Sequence, residues 1–295
     1  MDKNRLSYLY AFLAIFFWST IPTAFKTGLA ELPVIPMLAI AVVTSTVILF
    51  VIIVTGKKTA LIRQNSAREI LSSAILGLLN PFIYYIILLR AYQLLPGQVA
   101  QPLNMIWPII LVFLSVPILG QKIKKRSFLA LFISFTGVYI ISSQGRLLNP
   151  GDVNMKGVLL ATGSSVFWAL YFILNVKDKR DEAVKLFLNF LFASGYLLTY
   201  LLFSGKWPDN VSLKGVLASV YVGLFEMGIT FFLWLKALTM AKTTDKISNL
   251  VYLAPFISLI FLHFLIHEPV FYTTPAGLLL IISGILIQNR KERAR

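Results

Sequence analysis

The chain has 295 residues, of which 58% are hydrophobic types and 13% are charged, with a formal net charge of +15 and no cysteine. A soluble domain carries about 25% charged residues, so this chain has too little polar surface to cover a core of its size, whereas a bilayer solvates apolar side chains directly. The lack of cysteine excludes disulfides and thiolate chemistry, and His263 and His267 alone are too few ligands for a zinc site.

A spanning helix needs about 20 mainly apolar residues. In chain order the sequence predicts ten, over 7–26, 35–55, 70–89, 98–119, 127–144, 156–175, 184–204, 213–235, 246–266 and 273–289. The first follows Lys3 and Arg5 and has the outline of a signal peptide. Trp18, Pro22 and Phe25 stand where a small-residue cleavage site belongs, so it is expected to remain as an uncleaved helix. The connections alternate in charge. One side of the membrane receives 21 of the 27 basic residues, among them Lys57, Lys58, Lys122, Lys124, Arg180, Lys185, Lys242, Lys246 and Arg290. By the positive-inside rule that side is cytoplasmic, and it holds both termini. The basic surplus is thus a topology signal rather than a nucleic-acid footprint.

The two halves repeat. "FFWST" around Trp18 is answered by "VFWAL" around Trp168, and the segment ending at Pro108 lines up with the one ending at Pro255. Gly77 pairs with Gly223, Gln121 with Glu268, and Gly137 with Gly284. Self-similarity at a fixed offset predicts structural repeats, here residues 1–147 and 148–295. Five helices per repeat is odd, so the second enters the membrane from the opposite side. The predicted fold is therefore an all-α polytopic membrane protein of ten transmembrane helices in two inverted five-helix repeats. Such pairs hold their site between the repeats, near the midplane.

The candidate site follows from polar and aromatic residues inside these spans. Pro108 cannot bond the carbonyl of Asn104, and Asn104 and Trp107 share a helix face, which places an amide, a spare carbonyl and an indole together. Pro255 likewise frees the carbonyl of Val251, near Asn249 and Tyr252. Helix 6 carries Ser164, Trp168, Tyr171 and Asn175 on one stripe. Helix 1 offers Trp18 beside Ser19 and Pro22. In helix 3, Asn80 and Tyr84 share a face, and Pro81 is expected to kink the helix there. Tyr84 and Tyr85 differ by about 100°, so one of them meets a cavity, and Tyr84 is the choice. Glu226 is the one acid deep in a predicted span, at the repeat position of Asn80, and an intramembrane ionisable residue is functional by default. Gly77, Gly137, Gly223 and Gly284 are read as positions where helices approach closely.

These motifs together resemble the drug/metabolite transporter superfamily, EamA type with two repeats, over nearly the whole chain. The resemblance rests on "FFWST" and "VFWAL", on "LRAY" and "LKAL" closing the third helices, and on the prolines and glycines of the fourth and fifth. "NMIWP" followed by Gly120–Lys122 is similar to the YddG-type aromatic amino-acid exporters. The resemblance implies a central hydrophobic cavity between repeats, lined by Trp107, Trp168 and Tyr84, and substrates among amino acids, amines and other metabolites. The sequence departs from the exporters at Met105, where they carry an aromatic, and at Glu226. A carboxylate beside indoles also suits a cationic amine.

The expectation is a multi-pass cell-membrane secondary transporter, an exporter or facilitator of small metabolites such as amino acids with aromatic or apolar side chains. The alternative is a proton-coupled carrier of organic cations. An intramembrane enzyme is the remote reading, because no paired acids and no Ser/His pair fall in compatible helices. No cofactor, metal or nucleic acid is called for. The partners are a small-molecule substrate, lipid and, for the coupled alternative, protons. Both monomer and homodimer are open.

Overall fold

The structure is a computed structural model and describes residues 3–120, 125–146, 153–205, 207–208, 210–241, 247 and 250–289. The repeat junction at 147/148, Gln121, Asn249 and the basic residues Lys122, Lys124, Lys242, Lys246 and Arg290 lie outside the described residues.

The described chain is helical, with no strand among its residues. Eight helices are long and apolar enough to cross a membrane, and two shorter apolar ones, Val251–Ile266 and Thr273–Gln288, follow. The first two spans are continuous, α1 (Lys3–Glu31) and α2 (Val34–Thr55), and the short α3 (Thr59–Arg63) joins them to the third. The third begins at a capping box, Ser66 with Glu69, which satisfies helix N-terminal donors reciprocally. It runs as α4 (Ala67–Gly77), a π-helical stretch Leu78–Ile83 and α5 (Tyr84–Leu94). Within that stretch Asn80, next to Pro81, leaves helical backbone angles.

The fourth span is α6 (Gly97–Asn104) and α7 (Trp107–Leu119), broken just before Pro108, and α8 (Lys125–Ser142) is the fifth. In the second half, α9 (Met155–Lys177) starts at an Asn154 cap and α10 (Glu182–Ser204) at an Asp181 cap. The next span divides at Glu226–Gly228 into α11 (Leu213–Phe225) and α12 (Ile229–Met240). A 3₁₀ turn Val251–Leu253 leads into α13 (Ala254–Ile266), and α14 (Thr273–Asn289) is the last. The third, fourth and eighth spans are therefore split at mid-length, and the 3₁₀ turn of the ninth stands at the repeat position of the break in the fourth.

Helix contacts cross between the two halves in matching pairs. Gly77 of α4 packs on the carbonyl of Asn189 in α10, and Gly223 of α11 packs on that of Ala41 in α2. Gly137 of α8 sits against Gly277 O of α14, and Gly284 of α14 against Ala130 and Ser134 of α8. Repeat mates even meet each other: Thr46 Oγ1 lies 2.9 Å from Ser194 Oγ, and Ser134 Oγ donates to Ile281 O at 3.4 Å. All four glycines marked in the sequence stand where a Cβ would collide with a neighbouring helix, the close approach that small residues permit where lipid supplies no hydrophobic drive.

The connection after α2 and the one before α10 lie at the same end of the bundle. Lys58 Nζ is 2.7 Å from Asp181 Oδ2 there. Arg180 Nε donates to both Asp178 oxygens at 2.9 and 3.0 Å, and its other nitrogens reach Asn65 and Ser73. Burial of Asp178 raises its carboxyl, but the bonds and charge of Arg180, with Lys185 behind, leave it below the usual carboxylate range. Asp181 is lowered in the same way: burial acts upward and Lys58 outweighs it.

Candidate functional site

The broken spans surround a cavity of about 470 Å³ at the centre of the bundle, a volume in the range of small-molecule sites. Four tryptophans line it, Trp18, Trp107, Trp168 and Trp234, with Tyr84, Phe172 and Phe231 between them. The rings form one connected set. Trp168 is 5.1 Å from Tyr84, 6.4 Å from Trp107 and 6.3 Å from Phe231, centroid to centroid. Trp18 meets Trp234 at 5.4 Å and Phe231 at 6.0 Å. Tilted and edge-to-face pairs at these separations are the arrangements the ring quadrupoles favour.

Asn104 and Glu226 are among the polar groups in this apolar wall, and buried partners arrange their bonds. Asn104, at the end of α6, accepts from Tyr84 OH at 3.2 Å and donates through Nδ2 to Ser164 Oγ at 2.8 Å. It therefore ties the third span to the sixth across the cavity edge. Glu226 lies in the break between α11 and α12, and its Oε1 accepts from Tyr85 OH at 3.0 Å. Among the described residues no hydrogen bond holds its second oxygen, and the residue lines the cavity.

Of the nine residues selected from sequence, Trp18, Tyr84, Asn104, Trp107, Trp168 and Glu226 line the cavity together. The structure places the other three behind the wall. Ser164 is fully buried, where it donates to Ala161 O and accepts from Asn104. Tyr171 accepts at its hydroxyl from Asn189 of α10, at 3.2 Å. Asn80 is 3% exposed, with its carbonyl oxygen unpartnered. The helical stripe runs along α9 as read, but the cavity is narrower than the stripe, and the break in the third span turns Asn80 off the face it would share with Tyr84 in a straight helix.

Sequence reading passed over Trp234, Phe231, Phe172 and Gln101. Phe172 is one turn beyond Trp168 and Gln101 one turn before Asn104, so extending each chosen face by a turn finds both. Gln101 accepts from Ser258 Oγ at 2.5 Å, a link from the fourth span to the ninth.

Toward the end of the bundle opposite the N-terminus of α1, polar contacts gather on the hairpin before α6. Glu268 Oε1 accepts from Gly97 N at 2.8 Å and Oε2 from Gln98 N at 3.3 Å. The carboxylate thereby caps the positive end of α6. Lys26 Nζ donates to the carbonyls of Tyr92 and Leu95, at 3.1 and 3.2 Å, and so caps the opposite, negative end of α5. The Gln98 side chain reaches Pro269, Phe271 and Thr274.

Comparison with known proteins places this architecture. Residues 5–143 and 155–290 each match the EamA-like transporter family. An uncharacterized transporter, YvbV of Bacillus subtilis (strain 168), is 26% identical over all of this chain and 95% of its own length. An uncharacterized transporter of Archaeoglobus fulgidus is 25% identical over 95% of this chain and 97% of its own. Protein PecM of Dickeya dadantii (strain 3937) is 23% identical over 72% of this chain and 71% of its own. A solved crystal structure superimposes over 96% of each chain with a TM-score of 0.66 at 19% identity, a likeness of fold.

Proposed function

Because the chain belongs to the EamA-like transporter family, as a multi-pass membrane protein, we propose that it is a secondary transporter that moves a small metabolite through the central cavity. The observation that carries this reading is the wall itself. Both repeats contribute to it, Tyr84, Trp107, Phe231 and Trp234 come from broken spans, and Asn104 and Glu226 are held in place by buried partners. Discontinuous helices between two repeats are where such carriers bind their solutes.

The matching contacts between the halves suit an inverted pair of five-helix repeats, 1–147 and 148–295, with both termini on the cytoplasmic side of the cell membrane. The contacts of Glu268 and Lys26 are hydrogen bonds to helix ends. Such contacts separate without unpacking a core, as alternating access requires. Flat, largely apolar solutes fit the ring set, which keeps amines and amino acids with aromatic side chains as the solute classes.

The chain has no cysteine, so a single Phe231→Cys variant gives a background-free probe. In oriented vesicles it is expected to react with an impermeant thiol reagent added to either side, because the cavity opens alternately. Labelling from one side alone contradicts a carrier.

A further inference from the structure

Taking the cavity as the transport site, as proposed above, we infer that its solute is an organic cation, a protonated or quaternary amine on a flat apolar body, and that a free carboxylate on the solute is rejected. The inference deepens that reading and rests on it.

Among the described residues, Glu226 is the one acidic side chain that lines the cavity, and no Lys, Arg or His lines it. The cationic side chains close by in sequence are engaged elsewhere. Lys26 follows the lining residue Phe25 but spends its ammonium on the Tyr92 and Leu95 carbonyls. Lys236 stands over the rings of Tyr10 and Phe232. An anionic group in the cavity would thus meet a carboxylate and no counter-charge, in surroundings where a charge needs a partner.

Helix starts can also bind anions; those of α7, α12 and α13 lie at the cavity, and the start of α7 offers little. Pro108 has no N–H, and the N–H groups of Ile109 and Ile110 are already bonded to Ile106 O, at 2.9 and 3.3 Å. The carbonyl end of a helix favours a cation instead. The last carbonyls of α11 end beside Glu226, and the C-terminal end of a helix carries partial negative charge.

The same wall supplies the second element of cation recognition. Indole faces attract ammonium groups through the ring quadrupole, more strongly where water is excluded. Four tryptophans and Tyr84 around a single carboxylate provide that environment without a rigid hydrogen-bond pattern. Tyr85 occupies one carboxylate oxygen and fixes the group, leaving the other for the solute. An aromatic amino acid would satisfy the rings and Glu226 while leaving its own carboxylate unpaired. Its decarboxylated amine loses nothing.

Three probes sharing one ring separate these possibilities: phenethylamine, phenylalanine and 3-phenylpropionate. Binding to the purified full chain in detergent is read by calorimetry and by tryptophan fluorescence. The expected order is phenethylamine first, phenylalanine weaker by tenfold or more, and 3-phenylpropionate undetectable. Glu226→Gln is expected to lower phenethylamine affinity by about 30-fold or more, the scale for losing one partner of a buried charge pair. Glu226→Asp, which keeps the charge, should recover part of it and guards against a folding defect in the first variant. Phenylalanine binding as tightly as the amine, or amine affinity unchanged in folded Glu226→Gln, overturns the cation assignment. If phenylalanine also crosses proteoliposome membranes, the transporter reading survives that failure. If none of the three probes binds, the cation assignment is overturned. If, in addition, single-cysteine labelling is one-sided, the transporter reading falls with it.

Discussion

Asn104 joins two helices across the edge of the cavity, and removing it should expose how much that joint contributes. In Asn104→Leu the buried Tyr84 hydroxyl loses its acceptor, whereas Ser164 keeps the carbonyl of Ala161. One orphaned buried donor costs about 1–3 kcal/mol, so the variant should be less stable by that amount. Tyr84→Phe removes the donor itself and leaves Asn104 facing the cavity, where water can replace the lost partner. Its cost should be about 1 kcal/mol. The double variant has no orphan left. Cross-helix hydrogen bonds in membrane proteins couple by about 0.6 kcal/mol on average and up to about 1.7. With Tyr84 only 4% exposed, we expect a coupling near the upper half of that range. Equilibrium unfolding of all four proteins in mixed micelles measures it. Additivity within about 0.3 kcal/mol, the scatter of independent sites, would refute the claim that Asn104 and Tyr84 act as one joint.

Leu at Gly77, Gly137, Gly223 or Gly284 should cut the folded yield, because each added side chain meets a neighbouring helix, and unchanged yield at all four would refute the packing role. The connection cluster sets an acid limit. Asp178 and Asp181 are held below the usual carboxylate range, so their ion pairs stabilise the fold above about pH 4 and lose that effect as pH falls through the lowered values. Wild type should therefore begin to lose its thermal advantage over Asp181→Asn as pH falls below about 4, and an advantage that stays constant as the pH is lowered further would contradict the assignment. Arg180→Ala strands Asp178 at 10% side-chain exposure and should cost about 3 kcal/mol, the low end for breaking a buried pair, with thermal unfolding in detergent at pH 7 as the check. Reporter fusions after Asn289 should be active on the cytoplasmic side, and a reporter active on the outer face would remove the proposed topology.

Helix positions were legible because a span needs a long apolar run, and the proline at 108 marked the break in the fourth span. Pro81 likewise marked the kink at Leu78–Ile83, but neither its π-helical rotation nor the break at Glu226–Gly228 was legible, since both rotate one half-helix against the other without any change in hydropathy. This is why Asn80 leaves the face of Tyr84. It is also why Tyr85, one residue away, finds Glu226 in the other repeat. Trp234 was missed for a different reason. A lipid-facing and a cavity-facing aromatic look alike in an apolar span, and only the contact with Trp18 across the bundle separates them. Tyr171 shows the converse, because its helical spacing from Trp168 is right, yet Asn189 draws its hydroxyl into the helix interface.

The account rests on solute passing through the ring set. The most direct test is uptake into proteoliposomes of a panel of amino acids and organic amines, with and without a pH gradient. Wild type is compared with Trp107→Ala, Trp168→Ala and Tyr84→Ala, each first shown to be folded in detergent. The account predicts uptake of at least one amine by wild type and a loss of tenfold or more in each variant. Uptake at wild-type rates in all three would show that the solute does not pass between these rings.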